Sequence, residues 1–234
     1  MLKHTLLVAL VVLLGWHARA QDTKLQEDLG LKYMVQLPVV QSKNAPVIIL
    51  LHGYGSSERD LFGFSAMFSK NYLVVSARAP YSLSNGGYQW YDLFSDNPHP
   101  SKKEQIAASR AAILNFISQV VKKYGGDAGS VYLVGFSQGA MMCYEAGLAA
   151  PEKVKGIAAL SGRLNSDIKV SSAATKLKVF ISHGTADDRI KFEDGKAAVA
   201  FLKGHGIEPE FHEYPGMGHT ISQDVLADLL KWLK

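Results

Sequence analysis

Short apolar runs rich in branched residues recur along the chain at Val47 to Leu51, Leu73 to Ala77, Val131 to Phe136, Ile157 to Leu160 and Val179 to Ser182. Each is about the length of a strand buried on both faces. Between them the spacing becomes helical. The clearest stretch runs from Ser101 to Tyr124: Ser101 and Glu104 make a capping box, and Ile106, Ile113, Ile117, Val120 and Tyr124 fall on one face. Gly125-Gly126 is expected to stop it. Further helices are expected at Ser57 to Phe68, Gly139 to Ala149, Lys191 to Leu202 and Ile221 to Leu233. Strand and helix in alternation predict a mostly parallel sheet covered on both faces, a three-layer α/β domain. The segment before the first run reads as a polar lead-in. Pro80 to Pro100 reads as a loop with an unusual aromatic load, Tyr88, Trp90, Tyr91 and Phe94.

The first twenty residues follow neither pattern. A basic start with Lys3, an apolar run from Leu6 to Leu14 and Ala18-Arg19-Ala20 before polar Gln21 read as a cleavable secretory signal. The run is shorter than the roughly 20 residues that span a bilayer. The expected organisation is therefore a signal peptide over residues 1–20 and one domain over 21–234, secreted or periplasmic, with no membrane insertion after cleavage. Composition narrows the picture further. The 234 residues are 47% hydrophobic and 20% charged, enough to build a sizeable core and unlike a disordered chain. Formal charge is +4, and removing Lys3 and Arg19 with the leader leaves 23 basic against 21 acidic residues. That balance leaves no electrostatic footprint for nucleic acid. The single cysteine, Cys143, cannot close an intramolecular disulfide and reads as a packing residue.

Gly135-Phe136-Ser137-Gln138-Gly139 carries the candidate chemistry. Chance alone yields roughly 0.16 GxSxG matches from 21 Gly and 20 Ser in 234 residues, so context decides. Here the motif follows a strand and opens a helix, the setting of a nucleophile elbow. Such a turn strains Ser137, exposes its hydroxyl at the sheet edge and aims the N–H of Gln138 at a forming oxyanion. A serine hydroxyl needs a base, and the base needs an orienting acid. Among the downstream histidines, His183 ends a strand, His205 lies on a helix-end turn and His212 lies in an edge-strand pattern. His219 follows the glycine hinge Gly216-Met217-Gly218, and Thr220 with Gln223 forms a capping box that would hold its loop. His219 is the expected base. Asp187 and Asp188 both lie on the loop after Val179 to Ser182, and only one is needed. Leu51-His52-Gly53-Tyr54-Gly55 follows the first strand, and the N–H of Tyr54 is the expected second oxyanion donor. His52 is read as bonding within that loop.

These residues resemble the α/β-hydrolase superfamily and, within it, the phospholipase/carboxylesterase family that includes acyl-protein thioesterases. The resemblance rests on LLHGYGSS at Leu50 to Ser57, NGGYQWYDL at Asn85 to Leu93, GFSQGA at Gly135 to Ala140, HGTADDRI at His183 to Ile190 and GMGHTIS at Gly216 to Ser222, in family order across nearly the whole mature chain. It implies an α/β-hydrolase fold and ester hydrolysis through an acyl-enzyme, with no cofactor and no metal; no cap domain is expected, because Arg163 to Lys178 is too short to form one. It selects Asp187 over Asp188, assigns the oxyanion hole to Tyr54 and Gln138, and makes Trp90 an aromatic wall beside the acyl group; Tyr91, on the same loop, is expected to line the acyl pocket with it. The partner implied is a small-molecule ester; a homodimer is left open. Asp188-Arg189, where the family often carries proline or small apolar residues, departs from the pattern, and Arg189 would narrow or charge the entrance. The leader departs too, since thioesterases of this family act on cytosolic lipidated proteins. Rival chemistries lack their spacings: His212-Glu213 has no second histidine at Gly216, and neither GxxxxGK[ST] nor GxGxxG occurs. The alternatives are thioesterase or lysophospholipase-type activity through the same chemistry and, outside catalysis, a binding protein on a hydrolase scaffold.

Overall fold

The structure is a computed structural model that describes residues 22–39, 44–95, 100–165 and 167–234. The leader assigned to residues 1–20 lies outside them. All five expected strands form: β3 (Ala45–Leu51), β4 (Leu73–Ala77), β7 (Gly126–Phe136), β8 (Gly156–Leu160) and β9 (Lys178–Gly184). They pair in parallel, and β10 (Glu210–Tyr214) adds the edge strand that holds His212. Alternate residues serve opposite faces. On β3, Val47, Ile49 and Leu51 enter one core while Ile48 and Leu50 enter the other; Val131 and Leu133 against Tyr132 and Val134 do the same on β7. This is why those runs carry no polar position: a strand covered on both faces has no wet side.

The first core is closed by α2 (Lys102–Tyr124), α3 (Gln138–Ala149) and α4 (Phe192–Gly204); the second by α1 (Glu58–Phe62) and α5 (Gln223–Trp232). The capping box at Ser101 and Glu104 is present, and Gly125 ends α2 in the left-handed conformation at φ 66°. Three expectations are corrected. The lead-in holds two strands, β1 (Asp22–Gln26) and β2 (Tyr33–Gln36), antiparallel to each other, with β2 also antiparallel to β4. At four and five residues they are too short for periodicity to announce. The helix expected from Ser57 to Phe68 stops at Phe62, because Gly63 caps it, and only a single 3₁₀ turn at Ser65–Met67 follows. The Pro80 to Pro100 loop contains a small hairpin, β5 (Tyr81–Ser82) with β6 (Tyr88–Gln89).

The sheet order β1-β2-β4-β3-β7-β8-β9-β10 places the site. From β3 the chain moves to one side, to β4, and then returns to β7 on the other, so a switch point falls between β3 and β7. Register aligns the carboxyl ends there, with Leu51 opposite Gly135, Phe136 opposite Leu160 and Leu160 opposite Ser182. The loops carrying Tyr54, Ser137 and Asp187 therefore leave the sheet at one edge.

Candidate active site

Ser137 occupies the turn between β7 and α3 at φ 55° and ψ −115°, a region that costs a residue with a Cβ about 1–3 kcal/mol. Its neighbours explain how the turn closes. A Cβ on Gly135 would overlap the Gly139 carbonyl, and one on Gly139 would overlap the carbonyl of Leu51, so both glycines are required by close backbone approach. The N–H of Ser137 donates to the Leu160 carbonyl at 2.9 Å, fastening the elbow to β8.

The Ser137 hydroxyl lies 3.0 Å from Nε2 of His219, and Nδ1 of His219 lies 2.8 Å from Oδ2 of Asp187. The structure thus joins Ser137, His219 and Asp187 in one hydrogen-bonded chain, and the Phe136 ring packs on the imidazole at 4.8 Å between centroids. Two loops hold this alignment. The N–H groups of Thr185 and Ala186 donate to the carbonyls of Tyr214 and Met217, and the N–H of Gly216 donates to the Thr185 hydroxyl. Asp187 and His219 are fastened side by side in this way. The cap expected from Thr220 is corrected: Ser222 caps α5, its hydroxyl accepting from the N–H of Val225, while the Thr220 N–H turns back to Gly218.

The choice between the two aspartates is visible in their surroundings. Asp188 is exposed, whereas Asp187 is buried and its Oδ1 accepts from the N–H groups of Arg189 and Ile190 at 3.0 and 2.9 Å. Burial opposes the charge on Asp187, but the His219 hydrogen bond and the two backbone donors outweigh it and hold its pKa below the ordinary carboxylate value. His183 lies beneath this turn, fully buried, with Nε2 2.9 Å from the Ile190 carbonyl. Arg189 is exposed, and its backbone N–H donates to Asp187.

On the opposite side, among the described residues no hydrogen bond engages the backbone N–H of Tyr54 or Gln138, and Gly53 abuts Ser137. His52 is buried and holds this loop. Its Nδ1 donates to the Gly53 carbonyl at 2.7 Å and its Nε2 accepts from the Ala79 N–H at 3.1 Å, partners that assign the neutral tautomer. Burial keeps its pKa below the ordinary histidine value. The expected reading of His52 as a loop residue agrees with this geometry.

The aromatic wall is corrected. Trp90 and Tyr91 have no exposed surface, so neither can line a pocket. The side chain of Gln138 draws them in, accepting from the Trp90 N–H at 2.9 Å and donating to the Tyr91 carbonyl at 2.7 Å. The Trp90 indole donates to the His52 carbonyl, and the Ser109 hydroxyl donates to the Trp90 carbonyl. Burial pushes the Tyr91 phenol up to about 12. The aromatic surface that remains is the Tyr54 ring, which meets Phe94 edge-on at 5.0 Å; they are 37% and 74% exposed. Tyr54 enters the sequence reading only through its backbone, and the aromatic load of the Pro80 to Pro100 loop is the signal that points to Phe94. Cys143 is buried on α3, where burial raises its thiol pKa.

A mostly parallel sheet with a strained serine on the strand-to-helix turn, and nucleophile, acid and base following one another along the chain as Ser137, Asp187 and His219, defines an α/β-hydrolase of the serine hydrolase class. The phospholipase/carboxylesterase family matches residues 35–234, and the chain belongs to that family. It is 32% identical over 202 residues to a probable carboxylesterase, SOBER1-like, of Arabidopsis thaliana, covering 80% of this chain and 77% of that one. It is 29% identical over 209 residues to acyl-protein thioesterase 1 of Debaryomyces hansenii, covering 80% and 89%. Among solved structures, esterase PE8 superposes with a TM-score of 0.74 at 30% identity, covering 85% of this chain and 95% of that one. The chain is a serine hydrolase of carboxylic esters.

Proposed function

We propose that the protein is an exported carboxylesterase that hydrolyses short to medium acyl or aryl esters through an acyl-enzyme on Ser137. The observation that carries this reading is the unbroken chain Ser137–His219–Asp187, with bonds of 3.0 and 2.8 Å, on the strained strand-to-helix elbow. Nε2 of His219 takes the Ser137 proton as Oγ attacks the ester carbonyl, and the buried Asp187 holds Nδ1–H and stabilises the imidazolium. The N–H groups of Tyr54 and Gln138 receive the developing oxyanion. His219 then protonates the departing alcohol, and a water molecule activated by the same base releases the acid.

Export is inferred from the Lys3, Leu6 to Leu14 and Ala18-Arg19-Ala20 pattern. The chain-length preference follows from the absence of a cap among the described residues: between β8 and β9 the only helical element is a 3₁₀ segment at Ser172–Lys176. Thioesters would pass through the same acyl-enzyme, and the thioesterase relative makes them the second substrate class to assay.

The test is labelling by a fluorophosphonate followed by a panel of p-nitrophenyl esters of increasing acyl length. Label should fall on Ser137 and vanish in Ser137→Ala. Rates should rise over the first few carbons, each buried methylene contributing about 0.8 kcal/mol, and then level. Label on another residue, or steady improvement to long chains with activation at a lipid interface, would refute the reading.

A further inference from the structure

A cleft of about 660 Å³ lies over the outer side of α3, bounded by α2, the start of α4 and residues that follow β8. None of Ser137, Asp187 and His219 lines it, yet it begins beside the elbow. Gly162 packs on that turn so closely that a Cβ there would sit 3.4 Å from the Ser137 carbonyl. Arg163, one Cα step of about 3.8 Å further on, already lines the cleft. Its charge acts on the phenol of Tyr91, the residue that Gln138 fastens to the elbow.

Charge in the cleft is unbalanced. Glu145 is satisfied at its floor by Arg110 at 2.9 Å and by the amide of Asn165 at 3.0 Å, and Asp167 pairs with Lys103 at 3.5 Å. Among the described lining residues, Asp194 is the remaining carboxylate for Lys102, Arg163 and Lys169. Lys102 stands 5.7 Å over the Tyr91 ring, and no ion pair engages Arg163 among the described residues although it is half-buried. A partly desolvated guanidinium without a carboxylate is a site for an anion, which it holds with two parallel hydrogen bonds. Ile106, Ala107 and Leu164 add apolar surface to the same cleft.

We propose that this cleft receives the anionic end of the substrate, so that the preferred ester carries a carboxylate a few methylenes from the bond cleaved at Ser137. Arg163 binds the carboxylate, Lys102 and Lys169 add field, and the apolar strip carries the methylenes. The inference rests on the assignment of Ser137 as nucleophile made above. It replaces the aromatic wall that burial of Trp90 and Tyr91 removes with a charged one.

The test compares kcat/KM for p-nitrophenyl hexanoate and for the mono-p-nitrophenyl ester of adipic acid, which differ in the terminal carboxylate. Both are measured in the same preparation, so that loss of folded enzyme cancels in their ratio. The adipate half-ester should be preferred about tenfold at low ionic strength, as one charge-assisted contact implies, and the preference should shrink as salt screens it. Arg163→Gln should remove most of that ratio, Arg163→Lys should keep part of it, and exposed Lys169→Gln should lower it less. Lys231→Gln, on α5, serves as the charge-matched control and should leave the ratio in place. A wild-type ratio at or below one, or a ratio that Arg163→Gln does not move, overturns the inference. Hexanoate turnover with label on Ser137 but no charge preference overturns it alone; no label and no turnover of either ester overturns the Ser137 reading as well.

Discussion

Replacing Asp187 by Asn removes one charge and almost no volume, and the structure dictates what the amide must do. Oδ1 accepts two backbone N–H groups, at 3.0 and 2.9 Å, and an amide nitrogen there would meet two donors. The Asn oxygen is therefore held at that end, and its NH₂ is turned towards His219, where Oδ2 now lies 2.8 Å from Nδ1. Facing a donor, Nδ1 must become the acceptor, which places the ring proton on Nε2, 3.0 Å from the Ser137 hydroxyl. In that tautomer His219 cannot take the serine proton. The expected loss in kcat is of order 10⁴, the value established for the same substitution in trypsin, with little change in KM. Asp188→Asn, at an exposed position, should stay within about twofold of wild type. Steady-state kinetics on a short p-nitrophenyl ester would measure both, with circular dichroism to confirm folding. A tenfold or smaller loss in Asp187→Asn, or an equal loss in Asp188→Asn, would refute the tautomer argument. The variant should also differ in acid. Because the folded-state pKa of Asp187 is depressed, its contribution to stability is present above the unfolded carboxyl value and is lost as pH falls through the folded one. Asp187→Asn lacks that component, so its stability should fall less steeply in acid than that of the wild type.

Ser137→Gly should abolish turnover yet raise thermal stability above that of Ser137→Ala. Glycine releases the strain at φ 55°, for a net gain of about 1 kcal/mol after its own entropy cost, or roughly 2–4 °C in melting temperature. Equal melting temperatures would mean that the elbow stores no strain. Glu58→Gln should cost about 3–5 kcal/mol in urea denaturation, because it leaves Arg78 without the carboxylate it grips at 2.6 and 2.8 Å in a buried setting. Burial opposes the Glu58 charge, but the Arg78 hydrogen bonds prevail and lower its pKa, so wild-type stability should fall as pH drops through that depressed value. In Glu58→Gln this component should be missing. His52→Gln should lower kcat about 10- to 100-fold with a smaller effect on KM. The Gly53 carbonyl that His52 holds shares a rigid peptide plane with the Tyr54 N–H, so losing the bond tilts the oxyanion donor; a change confined to KM would show that the tilt does not occur.

Local signals carried the scaffold. The runs at Val47 to Leu51 and Val131 to Phe136 became central strands because residues with no polar alternative must be covered on both faces. Ser101, Glu104 and Gly125 bounded α2 because capping is chemistry within a few residues of the helix end. Ser137, His219 and the pair Asp187-Asp188 were legible as candidates for the same reason, each lying on a strand-end loop with its own signature, while the choice between the two aspartates came from the resemblance. At the site, what failed depended on a partner distant in sequence. Trp90 and Tyr91 look like a wall in the sequence, yet they are interior because the side chain of Gln138, nearly fifty residues away, pairs with their backbone. Thr220 with Gln223 reads as a cap in the sequence, yet Ser222 caps α5, and the Thr220 N–H turns back to Gly218 in the loop held by residues 185 and 186.

The sequence by itself determined the layers, the elbow and the chain order of nucleophile, acid and base, since these follow from periodicity and from residue types that few backbone conformations accept. Only the tertiary structure decided that Asp187 rather than Asp188 receives three N–H donors, and that Arg163, Lys102 and Lys169 face one cleft with few carboxylates among them. Hydrogen bonding and charge act through space. The register of β7, β8 and β9 sets those separations, and no local pattern records it.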